Sequence, residues 1–214
     1  MHQRWRGGPR PGKPVTDDAT LDPERLADRF GGRRVVVCVS GGIAAYKAAT
    51  IVSRLAQAGA DVRVIMTESA ARFVTPLTFQ ALSGRPVYTS PWRHIESDDP
   101  QHISLAASAD AVVVAPCTMD CLARLATGRA DDMVSLVLSA VDRKTTPVLL
   151  APAMNEVMWS QPATQRNVRT LRDDGYAFVG PAEGWQACRR VGAGRMAEPG
   201  EIVSALSGLI PETR

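Results

Sequence analysis

The feature that most constrains this chain is a pair of short apolar runs that both end in Ala–Pro. One lies in PVLLAPAMNEVMW at 147–159, where Val148, Leu149 and Leu150 lead to Ala151 and Pro152. The other is AVVVAP at 111–116. Runs of this length suit strands buried on both faces of a parallel sheet. Proline has no N–H to give and ends the ladder. The residues beyond it then lie where open α/β sheets bind ligands, past the carboxyl ends of the strands. Asn155 is a donor–acceptor group set among Met154, Met158 and Trp159, where an unpaired amide is costly. On this segment alone, an Asn turn with core-filling Met and Trp is an equally good reading.

The remaining segments alternate strand and helix patterns. Residues 1–20 are rich in Gly, Pro and Arg without periodicity and read as a disordered tail. A short helix over 22–30 leads in. The domain is expected over 33–214, with 1–32 as tail and lead-in. VVVCVS forms a buried strand, followed by Gly41–Gly42 and a helix that stops at Gly59. Strand, glycine turn and helix can present free N–H groups and a helix dipole to an anion. SGGIAAYK (40–47) is neither GxGxxG nor a P-loop, so a tight turn serving only the fold stays open beside a phosphate site. A second strand over 61–67 leads to Thr67, Glu68 and Ser69, whose hydroxyls either cap a helix or face the same anion. The helix that follows is interrupted at Pro76. Residues 85–101 read as a surface excursion, and His102 opens a short helix. After AVVVAP, CTMDCLARLATG (117–128) forms a helix with Thr118 near its start. Beyond Trp159 come a helix over 161–174, a last strand YAFVG, a Gly-rich loop or flap over 181–201 and a closing helix over 201–209. This pattern predicts a doubly wound, mostly parallel α/β sheet with helices on both faces, a three-layer sandwich.

Composition narrows the function classes. At 214 residues the chain is one domain large enough to bury a core. The net charge of +3 sits entirely in the leader: Lys and Arg exceed Asp and Glu through Arg34 and balance them beyond it. A neutral body argues against nucleic-acid binding as the main function. Of the four cysteines, Cys38 lies in a strand pattern and reads as inert core. No CxxC pair occurs and only three His are present, so no metal site is expected. The sequence shows neither an apolar run of 18 residues nor a signal-peptide h-region, so neither membrane nor secretion is expected and the default is cytoplasmic. Cys188, flanked by Arg189 and Arg190, is the most plausible reactive thiol.

Four stretches together carry a resemblance: PxMNxxMW (152–159), SGGIAAYK, HISL at His102 and the flap ACxxxGxGRMAEP (187–199). The chain resembles the flavin-dependent cysteine decarboxylases over about residues 33–209. The resemblance implies a flavodoxin-like (Rossmann-like) sheet, bound FMN, and a homotrimer or multiple of it with sites at subunit interfaces. It implies a small-molecule substrate with a terminal cysteine, 4'-phosphopantothenoylcysteine, decarboxylated to 4'-phosphopantetheine in coenzyme A biosynthesis. Carried over by position, His102 serves the oxidative step, Asn155 binds the substrate carboxylate and Cys188 donates the final proton. Gly41, Gly42, Ile43, Thr67, Glu68, Ser69, Thr118, Met119, Asp120, Cys121 and Ala153 would hold the flavin. Trp185, Gln186 and Ala187 would line the substrate. With no ligase domain after Arg214, the implied form is the stand-alone decarboxylase.

Two departures stand out. The family pattern after Ala–Pro and one small residue is Ser–Ala–Asn–Thr, whereas this chain has Thr118, Met119, Asp120 and Cys121. Asp120 thus sets a carboxylate where an amide is usual, unfavourable beside a flavin or its phosphate unless paired or protonated. Arg189 follows Cys188 where Gly is usual. Two other readings compete: a peptidyl-cysteine oxidative decarboxylase, which stops at the enethiol, and a non-catalytic flavoprotein that regulates a partner protein. The flap thiol favours the full reductive cycle over the first. His102, Asn155 and Cys188 together argue against the second.

Overall fold

A computed structural model describes residues 22–93, 100–185 and 191–211. The tail expected over 1–20, together with Gln186, Ala187, Cys188 and Arg189, lies outside the described residues.

Six parallel strands form the central sheet: β1 (Arg34–Val39), β2 (Asp61–Met66), β3 (Val87–Tyr88), β4 (Ala111–Cys117), β5 (Val148–Pro152) and β6 (Ala177–Phe178), in the order β3-β2-β1-β4-β5-β6. Without the two-residue edge strand β3, this is the flavodoxin order, which reverses between β1 and β4. Successive side chains enter opposite layers. Val35, Val37 and Val39 pack with α1 (Pro23–Phe30), α2 (Ala45–Gln57), α4 (Pro76–Ser83) and α10 (Pro199–Leu209). Val36 and Cys38 pack with α5 (Gln101–Ala107), α6 (Met119–Ala126), α7 (Met133–Ala140) and α9 (Pro162–Asp173). Phe30 at the end of α1 is fully buried, worth about 2 kcal/mol against exposure, and this docks the lead-in helix on the sheet.

Both Ala–Pro edges lie at strand ends. β5 stops at Pro152, whereas β4 runs one residue past Pro116, and the register with β5 shifts between Val114 and Cys117. That shift turns Cys117 into the same layer as Val114. Pro76 begins α4, while the short α3 (Glu68–Ala71) ends five residues earlier. The helix over 161–174 is α9, preceded by one turn of helix, α8 (Glu156–Ser160), capped by Asn155.

Three segments differ from expectation. The excursion over 85–101 contains β3, whose Val87 and Tyr88 are buried against β2. The flap is no irregular loop: β7 (Ala182–Trp185) and β8 (Val191–Arg195) pair as an antiparallel hairpin. The unassigned residues before 144 include α7, started by a capping box between Asp132 and Ser135.

Candidate active site

The carboxyl ends of β1, β4 and β5 border a cleft of about 830 Å³, at the switch point where open α/β sheets take ligands. Gly41, Gly42 and Ile43 line it from the β1 side, Thr118, Met119 and Asp120 from the β4 side, and Ala153 and Asn155 from the β5 side. The hairpin closes it with Trp185, Gly194 and Arg195. Its base is tied to the β5 edge by the Met154 N–H, which donates to the Gly194 carbonyl at 2.9 Å.

The glycine turn is built for close approach. A Cβ on Gly41 would sit 2.3 Å from Ser69 Oγ and 2.9 Å from the Ser69 carbonyl carbon, so only glycine lets the turn lie against the start of α3. Buried Ser40 joins the two strand ends. Its hydroxyl donates to the Pro116 carbonyl at 2.7 Å and accepts from the Thr118 N–H at 3.0 Å. No described residue accepts from the N–H groups of Gly41, Gly42 or Ile43. They precede the 13-residue helix α2, whose first turn carries no acidic residue. Unfilled donors at the positive end of a helix dipole suit an anion such as a phosphate.

The three hydroxyl residues near this turn divide their roles. Thr67 Oγ1 caps α3 through the Ala70 N–H at 3.1 Å and lies 3.0 Å from Ser69 Oγ. Thr118 Oγ1 caps α6 through the Cys121 N–H at 3.4 Å. Capping is therefore realised at Thr67 and Thr118, while Ser69 stands against the glycine turn. Thr67, Glu68, Ser69 and Cys121 do not themselves line the cleft. Burial pushes the Cys38 and Cys117 thiols well up, with nearby Cys121 adding to the rise, so both stay protonated at neutral pH and are poor nucleophiles.

Asn155 is half-buried, and its Oδ1 accepts from the Val157 N–H at 2.8 Å. This N-cap fixes the side chain at the cleft wall. His102 is half-buried on α5 and does not line the cleft. Asp120 is paired: its carboxylate accepts from Arg124 Nε at 2.7 Å. The same guanidinium meets Asp131 and, at 3.5 Å, Asp132. The hydrogen bond to Asp120 holds Arg124 above even the ordinary arginine value, against the opposing effect of burial.

Sequence reasoning did not single out Lys47, Arg195 or Met196, which also line the cleft. Lys47 Nζ and an Arg195 terminal nitrogen both reach Glu198 Oε1, at 2.8 and 2.6 Å. Their signal lay in SGGIAAYK and GRMAEP, which carried the resemblance without these members being assigned a place.

A protein-family model described as Flavoprotein matches residues 24–211. The coenzyme A biosynthesis bifunctional protein CoaBC of Bacillus subtilis (strain 168) is 52% identical over 174 residues, which cover 81% of this chain and 42% of that protein. CoaBC of Mycolicibacterium smegmatis is 48% identical over 172 residues, 80% of this chain and 40% of that protein. The chain thus spans less than half the length of these relatives. Among solved structures, a cysteine-to-serine mutant of PPC decarboxylase complexed with pantothenoylaminoethenethiol superposes with a TM-score of 0.72 at 31% identity. The match covers 81% of this chain and 96% of that one. The FMN-dependent cysteine decarboxylase SpaF gives 0.71 at 30%, covering 85% and 97%. With the matched model spanning nearly the whole described domain and the cleft at its switch point, the chain belongs to the Flavoprotein family.

Proposed function

We propose that this chain binds FMN and decarboxylates 4'-phosphopantothenoylcysteine to 4'-phosphopantetheine, a step of coenzyme A biosynthesis in the cytoplasm. The observation that carries the reading is one cleft with unfilled N–H donors at Gly41–Ile43 on one side and the capped Asn155 on another. The likeness to the relatives and to the PPC decarboxylase structure supports that substrate class.

Each residue has a task. The N–H groups of Gly41, Gly42 and Ile43 hold the flavin phosphate, Ser69 borders them, and Thr118, Met119 and Ala153 shape the wall for the ring. FMN held there would supply the two-electron oxidation of the cysteine-derived thiol end that makes decarboxylation possible, and the matching reduction once carbon dioxide has left. Asn155 presents its amide to the substrate carboxylate. A neutral donor orients the carboxylate without holding its charge as Arg would, so carbon dioxide can depart. Trp185, with Gln186 and Ala187, covers the substrate. Cys188 provides the proton for the final reduction. His102 acts at the oxidative step from a neighbouring copy, in a homotrimer or a multiple of it. The support is its place on α5 outside its own cleft, beside Ile103 at 50% exposure.

The test is a visible spectrum of the purified protein with FMN, then carbon dioxide release and product mass with 4'-phosphopantothenoylcysteine and, in parallel, a peptide ending in cysteine. A flavin spectrum and phosphopantetheine from the first substrate are expected. A protein that cannot be loaded with FMN would sink the reading, and turnover of the peptide alone would replace it with the peptidyl reaction. Cys188→Ser is expected to release carbon dioxide yet accumulate the oxidised product. Normal phosphopantetheine formation by that variant would remove Cys188 from the mechanism.

A further inference from the structure

The cleft wall carries a charge arrangement that the reaction itself does not require. Asp120 lines the cleft with its carboxylate 72% exposed, on the first turn of α6. The region that binds FMN in the proposed function therefore includes a negative charge in the same cleft as the site for a phosphate. Arg124, one turn further along α6, is only 22% exposed, and its Nε holds Asp120 Oδ2 at 2.7 Å. Its other end is anchored by Asp131 and Asp132 in the turn before α7, and Asp131 is also held by Arg129 at 2.7 Å. This fastening keeps the guanidinium in place behind Asp120.

We propose that Arg124 is a positioning residue for the flavin: it neutralises Asp120 in the cleft wall, so that a carboxylate can stand beside the anionic cofactor and tune it. The inference rests on the proposed function, since it concerns how this wall meets FMN. A carboxylate only accepts hydrogen bonds, whereas an amide in its place would also donate. An uncompensated carboxylate would repel the phosphate and disfavour negative charge on the reduced ring. Loss of Arg124 should therefore weaken FMN binding and lower the flavin midpoint potential together. Asp120 is largely exposed and solvent screens the pair, so the effect on affinity is modest, at most about fivefold at low salt.

The experiment uses the full chain stripped of FMN and titrated with FMN by fluorescence quenching at low and high salt, followed by measurement of the bound flavin's potential. Wild type, Arg124→Met, Asp120→Asn and the double variant are compared. Arg124→Met also loses the anchors to Asp131 and Asp132, so the deciding comparison is between it and the double variant, which lacks them equally. The expected result is recovery of affinity and a rise in potential when Asp120→Asn is added to Arg124→Met, with the affinity difference shrinking at high salt. Equal affinity and potential in those two variants would overturn the inference. If wild type itself fails to bind FMN, it is the proposed function that falls. Melting temperatures of the stripped proteins show whether Arg124→Met is folded. If it is not, Arg124→Gln and its double variant with Asp120→Asn take their place, judged by the same two outcomes.

Discussion

Gly41→Ala tests most directly whether the turn after β1 is a cradle or only a bend. The added Cβ would lie 2.3 Å from Ser69 Oγ, 2.5 Å from Ser69 Cβ and 2.9 Å from its carbonyl carbon. A hydroxyl can rotate away, but backbone cannot, so the turn and the start of α3 must separate by roughly 1 Å to restore van der Waals distance. Overpacking of this kind costs about 1–3 kcal/mol. At about 2–4 °C per kcal/mol for a domain of this size, the melting temperature of the flavin-free protein should fall by about 2–12 °C. Binding should suffer further, because separation moves the donors of Gly41–Ile43 off their common target. Losing one hydrogen bond to a charged group, about 1.5–3 kcal/mol, weakens FMN binding by about ten- to a hundredfold. Gly42→Ala is the control. Its Cβ would meet Thr118 Cγ2 at 3.4 Å, an ordinary contact, so the flavin-free melting temperature should move by about 2 °C or less. Differential scanning calorimetry and FMN fluorescence titration read both quantities. The reasoning fails if Gly41→Ala melts and binds like wild type, or if Gly42→Ala is equally destabilising without flavin.

Two further outcomes follow from the same packing. Burial acts to raise the Asp61 carboxyl, but the hydrogen bond from Arg34 and the charges of Arg63 and Arg85 outweigh it and hold the carboxyl below its usual value. A depressed folded-state value stabilises the fold above the unfolded value of about 3.9, and this stability is lost as pH falls through the lower folded value. Asp61→Asn should thus melt below wild type at neutral pH and converge with it in strong acid; a gap that does not narrow in melting scans across that range refutes the linkage. At the hairpin, a Cβ on Gly192 would lie 2.3 Å from Glu156 Oε2. Gly192→Ala should lose about 1 kcal/mol in urea unfolding, and Glu156→Ala in the same chain should relieve part of the loss, with a coupling above about 0.5 kcal/mol. Strict additivity would mean that the two residues do not press on each other.

The sequence by itself determined the layer architecture and the edge that carries the cleft. Unbroken apolar runs such as VVVCV and VLLAP can be satisfied only by burial on both faces, and Ala–Pro, Gly41–Gly42 and Thr118 punctuate their carboxyl ends. The motif residues Gly41, Thr118, Ala153 and Asn155 do meet around one cleft. Tertiary structure decided the rest. α7 was illegible because MVSLVLSA is apolar nearly all round, buried at five of its eight positions, and such a run has no period that separates helix from strand. Only the Asp132–Ser135 capping box marked it. β3 has two residues, too few for any period, and exists because β2 offers it a ladder. The hairpin likewise joins glycine-rich strands whose pairing is a property of two segments brought together, not of either alone. The fate of Asp120 is the sharpest case. The sequence shows a carboxylate out of place, but a charge is tolerable only through what surrounds it, and the fold sets Arg124 behind it, fastened by Asp131 and Asp132 from the turn before α7. Local patterning fixes elements such as β1, α2 and β5, because it acts through neighbours in the chain; pairing of short strands and compensation of charge act through space, and only the packed molecule supplies them.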